Sequence, residues 1–167
     1  HDTKRSEDVR ARICVISEIP DEWQKAVEKW SYINKNKGRI KKLSDKKGYT
    51  TEIDKNDEYL IYQILVGIWP MQTLSKKGCH NLIDRIENYI LKAAREGKVH
   101  TSWVNINSEY ENALCNFIRK ILNYPDRHSY WKEFFPIQKK IATLGYLNSI
   151  SQCVLKLSSP GVPDIYQ

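Results

Sequence analysis

The stretch Glu58-Tyr59-Leu60-Ile61-Tyr62-Gln63-Ile64-Leu65-Val66-Gly67-Ile68-Trp69 decides the fold. Tyr59, Ile61, Tyr62, Ile64, Leu65 and Ile68 cover most of a helix circumference, so a helix here asks for burial on several sides. Pro70 stops it. The remaining chain supplies helices to surround it. Upstream, Ser6 can cap a helix whose first turn carries Glu7 and Asp8 and whose Val9, Ile13 and Ile16 recur at helical spacing. Pro20 ends that segment and opens the next, where Trp23, Val27, Trp30 and Ile33 follow at steps of four, three and three. Downstream, Leu82, Ile83, Ile86, Ile90, Leu91 and Ala94 mark a helix ending at Gly97, with the glycine expected on its C′ side. Residues His100 to Asn107 show neither helical nor strand period and read as an ordered loop. Asn107 or Ser108 then caps a helix carrying Ala113, Leu114, Phe117, Ile118, Ile121 and Leu122. From Ser129, two helical stretches are expected to meet near Pro136, the second running through Ile141, Leu144, Leu147 and Ile150 to Leu157. The fold class is therefore mainly α, with six to seven packed helices.

Composition agrees with one globular domain: 167 residues, 41% hydrophobic and 28% charged. The longest uncharged run, Tyr59 to Ser75, contains Gln63, Pro70, Gln72 and Thr73 and is too short and polar to span a bilayer. The chain opens on His1 and its one Met is Met71, so it is expected to be a piece of something longer. The net charge of +7 is concentrated: Lys35, Lys37, Arg39, Lys41, Lys42, Lys46 and Lys47 face only Asp45 in one window. That window also holds Asn36, Gly38, Ser44 and Gly48, which reads as a mobile basic loop over 35–50 between helices. Gripping phosphate through it is the alternative, which the lack of a recognition-helix pattern and of interleaved aromatics disfavours.

Cys14, Cys79, Cys115 and Cys153 include no Cys-x-x-Cys pair, and His1, His80, His100 and His128 form no His-Glu-x-x-His motif. Four reduced thiols, no metal and no cofactor are expected, in a cytoplasmic setting.

Five blocks carry the functional signal: His1-Asp2-Thr3-Lys4-Arg5-Ser6-Glu7-Asp8-Val9-Arg10-Ala11-Arg12; Asp57-Glu58-Tyr59-Leu60; Leu91-Lys92-Ala93-Ala94-Arg95-Glu96; His100-Thr101-Ser102-Trp103; and Ser159-Pro160-Gly161-Val162-Pro163-Asp164-Ile165-Tyr166-Gln167. In this order the chain resembles, over its whole length, the maltooligosyl trehalose synthase family of the α-amylase superfamily. One departure is Ile106, where the family pattern has proline in Val-Asn-Pro-Asn.

The resemblance implies a (β/α)₈ barrel parent in which residues 1–5 end strand seven, 159–167 belong to strand eight, and 6–158 form a helical insertion between them. It implies an intramolecular transglycosylation that converts the reducing-end α-1,4 linkage of a maltooligosaccharide into an α,α-1,1 linkage. Retention of configuration requires a nucleophilic carboxylate and an acid/base carboxyl, which by resemblance lie outside this chain. Asp2 matches the third carboxylate, which holds sugar hydroxyls and favours the distorted ring, and His1 the imidazole donating to the same sugar. Lys4 and Arg5 are candidate substrate contacts, with ion pairing to Glu7 or Asp8 as the competing reading. Trp103 and His100 are the other candidates, because a loop aromatic can offer its face to a sugar; Trp103 could equally pack in the core. Trp23, Trp30, Trp69, Tyr59 and Tyr62 read as core. Asp164 and Gln167 are implied to lie near the cleft. The partners expected are the oligosaccharide and the rest of the barrel, with no nucleic acid and no membrane. A domain that only braces the barrel is the blander alternative, and the isolated chain should be inactive.

Overall fold

The structure, a computed structural model, describes residues 6–37, 52–72, 74–122 and 128–161. His1, Asp2, Lys4 and Arg5, most of the basic window, and Asp164 and Gln167 lie outside the described residues, as do residues 162–167 of the segment expected to belong to strand eight. Six helices follow in order: α1 Glu7–Cys14, continued by a 3₁₀ turn Val15–Glu18, α2 Pro20–Lys37, α3 Lys55–Ile68, α4 Lys76–Gly97, α5 Ser108–Leu122 and α6 His128–Ser158. No strand occurs among the described residues. Among the described residues no helix is long and apolar enough to cross a membrane.

The starts are set by short polar side chains. Asp54 accepts from the Asn56 amide at 2.8 Å, Ser75 from Gly78 at 3.1 Å and Asn107 from Tyr110 at 3.1 Å, each satisfying an amide that the first helical turn leaves unpaired. Four expectations need correction. Ser6 occupies the cap position of α1, but its side chain makes no capping hydrogen bond. The helix α2 reaches Lys37, so residues 35–37, expected in the basic loop, are helical. Gly97 is the last helical residue of α4, and the left-handed conformation falls on Lys98, with φ 58°. The two stretches expected to meet at Pro136 are one helix. Pro136 removes one amide and leaves the Lys132 carbonyl without its helical donor, yet both residues are exposed, so water can take that carbonyl. Tyr130, Trp131 and Phe134, all buried, anchor the turns before the proline to the core.

That core is aromatic. Trp30 and Tyr62 are completely buried, with ring centroids 5.5 Å apart, and Phe134 lies 5.4 Å from Trp30. Fully burying one such side chain stabilises by about 1.5–3 kcal/mol. The helix α3 runs through the middle, with Ile61, Tyr62, Leu65 and Val66 all buried. Of the aromatics read as core, Tyr59 is the departure: it is 38% exposed and accepts a hydrogen bond from Trp23 Nε1 at 2.9 Å. A polar chain crosses the core as well. Asn34 donates to the Tyr62 hydroxyl and Tyr62 donates to Glu58, each at 2.8 Å, while Lys120 Nζ donates to the Asn34 carbonyl at 2.9 Å. Burial pushes the Tyr62 phenol far up, so it stays a donor throughout the working pH range.

Two contacts fix α1. Arg12 Nη1 donates to the Gly67 and Trp69 carbonyls, at 3.1 and 2.8 Å, placing a cation on the carbonyl end of α3. The backbone of Arg12 also lies against Gly145 of α6: a Cβ there would sit 2.8 Å from Arg12 Cα. The ends of this antiparallel pair are joined by Lys156 Nζ to Glu7 Oε1 at 3.3 Å and by Asn148 to Glu18 at 2.8 Å. Glu7 is thereby engaged with the far end of the chain.

Gly145→Ala is expected to destabilise the chain by about 1–3 kcal/mol, because the obstacle is backbone. Gly97→Ala, with nothing within 4 Å of the added carbon, should stabilise by about 0.5–1 kcal/mol. Urea denaturation midpoints of the two variants should move in opposite directions.

Candidate functional site at the α4–α5 corner

Two candidate residues, His100 and Trp103, fall on the loop joining α4 to α5, beside the start of α3. The loop is built from the inside by one carboxylate. Glu111, buried in the first turn of α5, receives both arms of Arg95, Nε to Oε1 at 2.8 Å and Nη2 to Oε2 at 2.7 Å. Thr101 donates to the same Oε1 at 2.7 Å and accepts from the Asn107 amide at 3.0 Å. Asn107 in turn caps α5, so both ends of the loop are pinned to one helix start. A turn closed by Ser102 N to Asn105 O at 3.0 Å lies between them.

The electrostatics follow from these contacts. The Arg95 hydrogen bonds hold the Glu111 carboxyl below its usual range, and the same bonds raise the Arg95 guanidinium. A forked pair of this kind is geometrically specific as well as attractive.

On the outside of the loop sits Trp103, 54% exposed, with the Arg95 guanidinium 4.9 Å from its ring centroid. The two readings of Trp103 left open by the sequence are thus separated: it does not pack in the core of this chain. Val99, Val104 and Ile106 are exposed around it. His100 turns the other way. Its ring lies 4.6 Å from that of Tyr110, and its Nε2 is 3.7 Å from Asp54 Oδ2. Tyr110 donates to Asp57 and accepts from the Asp54 amide, and burial is the main cause of its raised phenol pKa. The Asn56 amide is the main reason the Asp54 carboxyl is lowered.

The corner therefore gathers parts of three sequence blocks, the first far from the other two in the chain: Asp57, Arg95, and His100 with Thr101 and Trp103. Glu111 and Tyr110, which hold them, were missed by the sequence reading. They lie in an ordinary helical first turn, and only their distant partners reveal them. Among the described residues no group of three or more His, Cys, Asp or Glu side chains could hold a metal ion. The described surface offers a scaffolded aromatic platform and no complete set of groups for bond cleavage.

No protein-family profile matches the chain. A protein of Mycobacterium tuberculosis provisionally named maltooligosyl trehalose synthase is 30% identical over all 167 residues, which span 19% of its own length. The hypothetical maltooligosyl trehalose synthase of Sulfolobus tokodaii superposes with a TM-score of 0.76 at 40% identity, over 97% of this chain and 20% of that one. A further solved maltooligosyl trehalose synthase gives a TM-score of 0.77 at 34% identity, over 97% of this chain and 19% of its own. The chain's homologues and structural neighbours are thus maltooligosyl trehalose synthases, of which it spans about a fifth.

A depressed carboxyl stabilises the fold above its ordinary unfolded pKa of 4.5, and that contribution is lost as pH falls through the lower folded value. Thermal unfolding of the chain should therefore drop in temperature below about pH 4.5. Glu111→Gln should start from a lower melting temperature at pH 7 and decline less steeply on the acid side.

Proposed function

We propose that this chain is the helical domain of a maltooligosyl trehalose synthase, an intramolecular glucosyl-transferring isomerase that builds an α,α-1,1 linkage at the reducing end of maltooligosaccharides. The likeness of the whole chain to one segment of these enzymes supports the reading. The carrying geometric observation is the Glu7–Lys156 pair at 3.3 Å, which sets the first turn of α1 beside the last turn of α6. A domain inserted between neighbouring barrel strands must begin and end at one place, and this one does.

In that arrangement residues 1–5 close barrel strand seven, 6–158 form the insertion and 159–167 begin strand eight. The reaction follows from the retained configuration. A carboxylate elsewhere in the parent attacks the anomeric carbon at the reducing-end linkage, while an acid there protonates the leaving oxygen. The released glucose stays bound, turns, and its own anomeric hydroxyl captures the intermediate with the former acid as base. Asp2 holds hydroxyls of the distorted ring and stabilises the oxocarbenium-like transition state, and His1 donates to the same sugar. Lys4 and Arg5 orient Asp2 or meet the substrate. Trp103 offers the outer face of its ring to a glucose unit, and His100 braces the loop from which it does so.

Bulk water competes with the captured glucose, so the α4–α5 corner acts by excluding it. The parent works in the cytoplasm without a cofactor or a nucleic-acid partner. The isolated chain, lacking nucleophile and acid, is inactive.

Product analysis on maltopentaose tests this directly. The full-length parent should yield a non-reducing, trehalose-ended product, and Asp2→Asn should lower turnover by about a thousandfold or more while the protein stays folded. Near-normal turnover would remove Asp2 from the catalytic set. Trp103→Ala in the same enzyme should raise the ratio of free glucose to trehalose-ended product; an unchanged ratio would count against a water-excluding role for the corner.

A further inference from the structure

A cavity of about 470 Å³ opens where the end of α3 meets the middle of α6. It lies at the opposite end of α3 from the α4–α5 corner, about 21 Å along the helix. Its volume falls within the range of roughly 300–1,000 Å³ typical of small-molecule sites. Of the residues around it, Trp69, Gln138 and Ala142 are buried and form the bottom, whereas Met71, Phe135 and Lys139 are exposed and stand at the mouth.

Gln138 is the unusual member. It is only 5% exposed, and its Nε2 donates to the Trp69 carbonyl at 3.4 Å, long for a hydrogen bond. Its Oε1 has no partner among the described residues. A buried amide is normally paired at both atoms, so this oxygen is left to whatever enters the cavity. Phe135 is 40% exposed, and its ring is fixed by those of Trp69 and Trp131, with centroids 5.9 and 5.2 Å away. Lys139 makes no ion pair or hydrogen bond among the described residues.

These groups select a ligand by elimination. An anion drawn in by Lys139 would meet the lone pairs of Gln138 Oε1 at the bottom. A purely apolar ligand would strip water from that oxygen and leave it unpaired. A neutral polyol with apolar C–H faces suits every group. One hydroxyl donates to Gln138 Oε1, another accepts from Lys139 Nζ, and a C–H face lies on the fixed ring of Phe135. We infer that the Phe135–Gln138–Lys139 cavity is a carbohydrate site, separate from the corner, which takes one glucose unit of a neutral glucan chain. The choice of glucan among neutral sugars rests on the reading of the parent as an enzyme of maltooligosaccharides.

Lys139 reports on the site without any substitution. The experiment is peptide-resolved acylation of Lys139 by an N-hydroxysuccinimide ester in the full-length parent, native and urea-unfolded, with and without maltopentaose. For a site of Kd ~1 mM, maltopentaose at about 4 mM should slow labelling of the native protein about fivefold. Glycerol at the same hydroxyl concentration should leave the rate unchanged, and Phe135→Ala and Gln138→Leu should each abolish the slowing. No slowing by maltopentaose, equal slowing by glycerol, or slowing that survives either substitution overturns the inference. So does labelling without sugar that is already about a hundredfold slower than in the unfolded protein, which would show the cavity closed in the parent. Trehalose-ended product, measured on the same unsubstituted preparation, keeps the two ideas apart. An enzyme that forms the product with Lys139 unprotected loses the cavity site and keeps the reaction. One that forms none while maltopentaose protects Lys139 loses the reaction and keeps the site.

Discussion

Arg12 is the contact on which the arrangement depends. Its guanidinium takes the carbonyls of Gly67 and Trp69 at the end of α3, while its backbone lies against Gly145 of α6. One residue therefore joins the short first helix to the most buried helix and to the longest one. With α1 so fixed, Glu7 reaches Lys156, and the first and last described helices end side by side. The block that opens the chain thus contains both the residues read as catalytic and the residue that anchors α1 to the bundle.

Packing and polar order divide the work. The centre of the domain is held by area, through the interlocked rings of Trp30, Tyr62, Tyr130 and Phe134, with the Asn34–Tyr62–Glu58 chain pairing three polar side chains that α2 and α3 bring inside. The α4–α5 corner is held instead by the Arg95–Glu111 fork and by Thr101. Such bonds fix direction better than apolar contact does, which suits a loop that presents one aromatic ring outward.

The fold was largely legible because its signal is periodic. The four-three-three spacing of Trp23, Val27, Trp30 and Ile33, the nearly all-round apolar surface of Glu58 to Trp69, and the cap at Asn107 each follow from helical geometry. The misses have local causes. Pro136 looked like a break because sequence cannot tell that the carbonyl it orphans is solvated. Gly97 looked like the left-handed residue, yet the helix ran one residue further and left Lys98 to take that conformation. At the corner, Trp103 and His100 were visible as loop residues and Arg95 as part of a block, but Tyr110 and Glu111 were not, since a long-range pair leaves no spacing to read. Tyr146, Leu147, Ile150, Val154 and Leu157 were read simply as helix; only the packed structure shows that all five are exposed among the described residues.

A structure of the full-length parent with a trehalose-ended maltooligosaccharide bound would test the account most directly. It predicts the Asp2 carboxylate within hydrogen-bonding distance of hydroxyls on the sugar being transferred, with α1 and α6 attached to neighbouring strands of one barrel. A sugar bound away from Asp2, or helices α1 and α6 joined to separate parts of the parent, would contradict it.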